Sequence, residues 1–211
     1  MRVSKGLFIW GICYIFVFGY VLLEYRINAS DSIAINETML YLILTKPQKL
    51  LFNNSLFLVL LIFCTKKEFL EPMIFVRYQR RLPLEMIKRG LIICLGYVMT
   101  TIALVIIFGV IFNVDVILSF NLIIHFLYLF LFCLYVYFFY ALLYLLFSNQ
   151  VLAVLLSAGS NFLFIATIIN IVWRFGVSET LVGNLLMLYL LVVTPLLMIA
   201  VIVTGRYKEC L

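Results

Sequence analysis

Long apolar runs recur along this chain, and polar residues collect between them. A stretch of about 20 apolar residues is enough for one helix to cross a bilayer. Six segments approach or meet that length: residues 7–23, 50–64, 90–113, 120–147, 151–173 and 185–204. Within them the apolar positions show no useful helical period, because lipid and protein interior are similarly apolar. The segment at 50–64, LLFNNSLFLVLLIFC, is short and holds Asn53 and Asn54. The run MLYLIL at 39–44, before Lys46 and Pro47, is too short to span and reads as an interfacial or re-entrant helix. The pattern predicts an all-α, polytopic integral membrane protein with six transmembrane helices, forming one transmembrane domain over residues 1–211.

Composition agrees with that pattern. Hydrophobic residues make up 67% of the chain, charged residues 11%, and the mean hydropathy is +1.24. These values exceed what a water-soluble core needs. MRVSKG is basic and leads into an apolar stretch, but no A-x-A-like cleavage site closes it before Glu24, Tyr25 and Arg26. The N-terminal segment is therefore read as an uncleaved first span.

Charge sets the expected orientation. Eleven of the fifteen Lys and Arg residues fall at the N-terminus, in the 65–89 loop and in the C-terminal tail. Arg26, Lys46, Lys49 and Arg174 fall on the opposite side. The positive-inside rule places both termini in the cytoplasm.

The 65–89 loop holds seven of those cations and has a structured sequence. Pro72 and Pro83 each suit a first helical position, and Leu82 before Pro83 disfavours helix geometry. The reading is a short helix over 72–81, a break, and a longer helix from Pro83 into the third span. Arg77, Arg80 and Arg81 share one face of the short helix, and Ile74, Phe75 and Tyr78 share another. Glu85 falls in the first turn of the next helix, where its charge suits the positive end of the dipole. Such a loop can lie on the membrane surface, or dock a cytoplasmic partner with Phe75 or Tyr78 as anchor and the arginines as rim. Physical chemistry alone leaves both open.

The six spans, the short SNQ turn at 148–150 and the stretch EFLEPMIFVRYQRRLPLEMIKRG at 68–90 together resemble an ABC-2 type permease, the membrane subunit of an ABC exporter. The stretch is similar to that family's coupling helix and its connector into the third span. Phe75-Val76-Arg77 is similar to an aromatic-x-Arg pattern of small bacterial permeases. The resemblance implies that Glu71, Phe75, Arg77, Tyr78, Arg80 and Arg81 contact a cytoplasmic ATPase subunit. It also implies a second permease copy or a similar subunit, with ATP and Mg held by the partner ATPase. Two features depart from larger members: only MRVSKG precedes the first span, and RFGVSETLVGN between the fifth and sixth spans is short. Both suit a minimal exporter half without a large extracellular domain.

No glycine-rich phosphate loop ending in Gly-Lys-Ser/Thr is present, so the chain is read as a non-enzyme that holds no cofactor. Its expected partners are the ATPase, another permease subunit and membrane lipid, not nucleic acid. The single histidine, His125, excludes HExxH and multi-histidine metal sites. The cysteines Cys13, Cys64, Cys94 and Cys133 sit in apolar segments and Cys210 near the C-terminus, and all read as small buried hydrophobes. A His125–Cys133 peptidase pair fails on geometry: eight residues of helix rise about 12 Å, whereas nucleophile and base need about 3 Å. The acidic residues all lie in loops or near span ends, which disfavours a proton-coupled carrier.

The fourth span, FLYLFLFCLYVYFFYALLYLLF, offers an aromatic wall for a hydrophobic or amphipathic peptide. Tyr137, Tyr140, Tyr144 and, on the fifth span, Asn161 are the candidate substrate-path residues. Bundle packing explains the same aromatics, and Ser157 to Asn161 also suit close helix approach. Pro195 is expected to kink the sixth span. The functional expectation is export of a bacteriocin-like or toxin-like peptide from the cell membrane of a bacterium. A non-transporting immunity or assembly protein that binds a peptide or partner is the alternative.

Overall fold

The computed structural model describes residues 5–28, 56–64, 82–111, 120–176 and 179–209, and every element among them is an α-helix. The helices are α1 (Lys5–Asn28), α2 (Leu56–Cys64), α3 (Leu82–Ile111), α4 (Phe120–Phe147), α5 (Gln150–Phe175) and α6 (Glu179–Glu209). Each falls on one of the six expected apolar segments. Four carry a stretch long and apolar enough to cross a membrane: Pro83–Phe108, Phe126–Phe147, Gln150–Ile168 and Asn184–Arg206. A span of 22 residues rises about 33 Å, close to the thickness of the hydrocarbon layer. In α1 the apolar stretch is shorter, Phe8–Tyr20, and α2 covers nine residues. The segment at 39–44, Asn53 and Asn54 lie outside the described residues.

The helix ends follow local chemistry. α3 begins at Leu82 with Pro83 in its first turn, where a missing N–H breaks no bond, and Glu85 lies in that turn. Between α4 and α5 the chain reverses through Ser148 and Asn149. Ser148 takes a left-handed φ of 53°, a costly conformation for a residue with a Cβ, and its N–H bonds the Tyr144 carbonyl at 2.9 Å. Asn149 caps α5: its side-chain oxygen accepts from Leu152 N at 3.2 Å. α5 ends on Gly176, at φ 60°, where glycine removes the Cβ clash. α6 runs as one helix through Pro195.

α4 is the hub. Of its apolar window 61% is buried, against 33% in α3, 22% in α6 and 18% in α5. α3, α5 and α6 pack mainly on α4, α2 sits against α1, α4 and α5, and α1 reaches the bundle through α2 and α3. The residues from Tyr128 to Ala141 supply much of the buried core. The outward faces are apolar too, with Phe16, Leu95, Leu155, Leu163 and Leu188 exposed. In water such a surface would aggregate; against acyl chains it is the ordinary condition.

Close approach at a few glycines sets the helix spacing. Gly90 of α3 lies flat against the Tyr137 ring of α4. A methyl on Gly205 of α6 would stand 2.5 Å from Cγ of Pro83, and one on Gly19 of α1 would stand 2.7 Å from Cζ of Phe108. Gly96 of α3 has open space around the same position. Gly90→Ala should therefore lower stability by about 1–3 kcal/mol through overpacking, while Gly96→Ala is neutral or slightly stabilising. Thermal unfolding of both variants in the same detergent checks this; equal shifts would contradict the packing described.

Candidate functional site

The basic loop enters the bundle through the first two turns of α3. Pro83 is buried and touches Gly205 of α6. Met86 is buried one turn later, and its carbonyl accepts a hydrogen bond from the Tyr137 hydroxyl at 3.0 Å. Gly90, another turn on, receives the Tyr137 ring. α3 is thus fastened at its root to both α4 and α6. Glu85 and Arg89 are half-buried beside these contacts, and Lys88 points outward.

The residues expected to contact an ATPase (Glu71, Phe75, Arg77, Tyr78, Arg80 and Arg81) lie outside the described residues, as does the expected helix at 72–81. The candidate substrate-path residues are all described. Tyr137, Tyr140 and Tyr144 follow one another along one side of α4, with ring centroids 6.5 Å and 6.3 Å apart. Tyr137 is committed to holding α3. Tyr140 is buried, and Tyr144 is half-buried toward the end of the bundle where α4 meets α5. Asn161 is on α5, on the same buried stripe as Ala153 and Ser157.

Sequence reasoning missed two features of this region. The first is an aromatic cluster that joins three helices. Phe164 of α5 stacks on Tyr189 of α6 at 5.1 Å, and both meet Tyr135 of α4, at 6.4 Å and 6.0 Å. Tyr135 also stacks on Phe139 at 6.2 Å. The second is a buried threonine of α6, Thr194, whereas the buried Ser157 and Asn161 of α5 are already singled out by the sequence. Ser157, Asn161 and Thr194 are 0%, 1% and 5% exposed. The Asn161 amide nitrogen donates to the Ser157 carbonyl at 2.8 Å, as Ser160 Oγ does at 3.1 Å. Ser157 Oγ, Asn161 Oδ1 and Thr194 Oγ1 have no hydrogen-bond partner among the described residues. The Thr-Pro pair in the middle of an apolar run was the available sign, since Pro195 offers no N–H to the Leu191 carbonyl.

Between α1 and α3 the buried hydroxyls are paired. The Thr101 hydroxyl donates to the Tyr97 carbonyl at 2.9 Å, and the Tyr14 hydroxyl lies 2.7 Å from Thr101 Oγ1, tying α1 to α3. The Tyr14 ring stacks on Trp10 at 5.2 Å and leans on Tyr97 at 5.3 Å. Cys94 and Cys133 are buried, as expected of small hydrophobes, whereas Cys13 is exposed on the outer face of α1. α4 runs unbroken past His125 and Cys133, which keeps them two turns apart. No group of His, Cys, Asp and Glu among the described residues could hold a metal ion.

No family model, curated protein or solved structure matches the chain.

Removing the Tyr137 hydroxyl leaves the Met86 carbonyl with one fewer donor. Tyr137→Phe should lower stability by about 0.5–1.5 kcal/mol. It should also speed amide exchange in the first turns of α3 more than in α5, as read by hydrogen–deuterium exchange with mass spectrometry. Unchanged exchange at 83–90 would show that this bond does not hold the root of α3.

Proposed function

We propose that the chain is the membrane-spanning permease subunit of an ATP-driven exporter. It spans the cell membrane six times with both termini in the cytoplasm, and its origin is bacterial. The end of the bundle bearing Pro83, Ser148 and Gly205 then faces the cytoplasm. The observation that carries the reading is the root of α3. A basic loop rich in arginine and aromatic residues leads directly into a helix wedged against α4 and α6. A push that reaches the start of α3 meets these contacts directly. It passes through Pro83 to α6 and through Met86 and Gly90 to the hub helix.

The chain has no phosphate-binding loop, so the energy comes from a separate ATPase subunit that holds ATP and Mg. That ATPase docks on Glu71, Phe75, Arg77, Tyr78, Arg80 and Arg81. A second copy of the chain, or a similar permease, completes the substrate path. Closure of the ATPase on ATP shifts the population between inward-facing and outward-facing bundles. The cargo is a hydrophobic or amphipathic peptide that enters from the cytoplasm or the inner leaflet.

The competing reading is a non-transporting immunity or assembly protein whose loop rests on lipid. Affinity purification from native membranes in mild detergent separates the two. A cytoplasmic ATPase should co-purify, and Phe75→Ala or Arg77→Glu should remove it or uncouple ATP use from transport at normal expression. Recovery of no ATPase, under conditions that retain known ABC complexes, would sink the exporter reading.

A further inference from the structure

α6 is held at two places by different neighbours. In its first half, Tyr189 stacks on Phe164 of α5 at 5.1 Å and meets Tyr135 of α4 at 6.0 Å. In its second half, Gly205 lies against Pro83 at the root of α3. Pro195 falls between these two fixed points, about 9 Å along the axis from Tyr189 and about 15 Å before Gly205. Among the described helices, no other carries a proline beyond its first turn.

A proline inside a helix removes one backbone hydrogen bond, here to the Leu191 carbonyl, and its ring crowds that same carbonyl. The helix is weakest against bending at that turn, which is why sharp kinks in long helices gather at proline. Two features of the packing leave such a bend room. Pro195 is exposed, so its ring can turn without displacing a neighbouring helix. The buried stripe of α6 runs through Leu186, Leu190 and Thr194, thins at Leu197 and Met198, which are half-buried, and resumes at Val201 and Gly205. Met198 is unbranched and can follow a changing gap by changing rotamer.

We propose that Pro195 is a hinge that divides α6 into two mechanical parts. Residues 196–209 swing with the root of α3, through the contact of Gly205 with Pro83. Residues 179–194 stay with the aromatic cluster of Tyr135, Phe164 and Tyr189. The two anchors of one helix then need not break together: a displacement of α3 turns the second half of α6 and leaves the first half in place. Hinges of this kind concentrate a large backbone change in a few residues and spare the packing on either side. The hinge belongs to this chain by itself, and rests on the exporter reading only for the source of the push.

The test uses the full chain in nanodiscs without an ATPase, so it can fail while the exporter reading stands, and the reverse. Spin labels are attached through a genetically encoded ketone residue, which leaves the native cysteines in place. Labelled chain is diluted with unlabelled chain, so that distances within one copy are read by double electron–electron resonance. One pair joins positions 146 of α4 and 203 of α6, the other positions 127 and 185; Leu146, Val203, Leu127 and Leu185 are all exposed. Gly205→Leu wedges α6 away from Pro83. In the otherwise native chain the wedge should shift the 146–203 distance by about 2 Å and leave the 127–185 distance unchanged. With Pro195→Ala added, that shift should be lost, or be carried into the 127–185 pair as the helix moves like a rod. Gly205→Ala is the smaller wedge if Gly205→Leu does not accumulate. Equal shifts at both pairs in the chain that keeps Pro195, no shift at either, or a wedge response that Pro195→Ala leaves as it was would each overturn the hinge.

Discussion

The contact on which the bundle depends is the one between Gly90 of α3 and the Tyr137 ring of α4. In a bilayer the hydrophobic effect does not draw helices together, since lipid is as apolar as leucine. Association rests on close packing and on hydrogen bonds between helices. Gly90 allows the ring to lie against the α3 backbone, and the hydroxyl at the far end of that ring reaches the Met86 carbonyl one turn away. One side chain thus fixes both the distance and the rotation of α3 on α4. Pro83 against Gly205 adds α6 to the same joint.

The rest of the architecture grows outward from α4. Its sequence is crowded with Phe and Tyr, and rings fill space between helices that need not touch backbone to backbone. Tyr135 holds α5 and α6 through Phe164 and Tyr189. Tyr14 and Thr101 secure α1 to α3 by a hydrogen bond, the stronger device where no water competes. The outcome is uneven. The root of α3 is tightly fastened, while α5, the least buried of the four membrane-length helices, carries polar atoms without a partner among the described residues. Natural proteins accept such local instability mainly where function calls for it.

Much of the framework was legible in the residues. Runs of apolar residues marked all six helices, Pro83 marked the start of α3, and Ser148-Asn149 marked the turn into α5. These are local signals: a missing N–H, a capping side chain, an unbroken apolar length. Which helix is the hub was not legible, because the exposed and buried sides of these helices are equally apolar. Gly90 and Gly96 look alike in sequence, yet one has the closest approach among the described glycines and the other faces open space. Tyr137, Tyr140 and Tyr144 were read together as a path, and the structure assigns Tyr137 to fastening α3. Cys13 was taken for a buried hydrophobe and is exposed. Thr194 went unnoticed beside Pro195.

The joint between α3 and α4 is tested most directly by a double-mutant cycle on unfolding free energy, with Gly90→Ala, Tyr137→Leu and the two together in one detergent. A smaller side chain at 137 makes room for the new methyl at 90. The account predicts that the double variant is more stable than the two single losses would sum to, with a coupling of about 1–2 kcal/mol. Losses that simply add would show that Gly90 and Tyr137 act independently, and would contradict the claim that this contact sets the bundle.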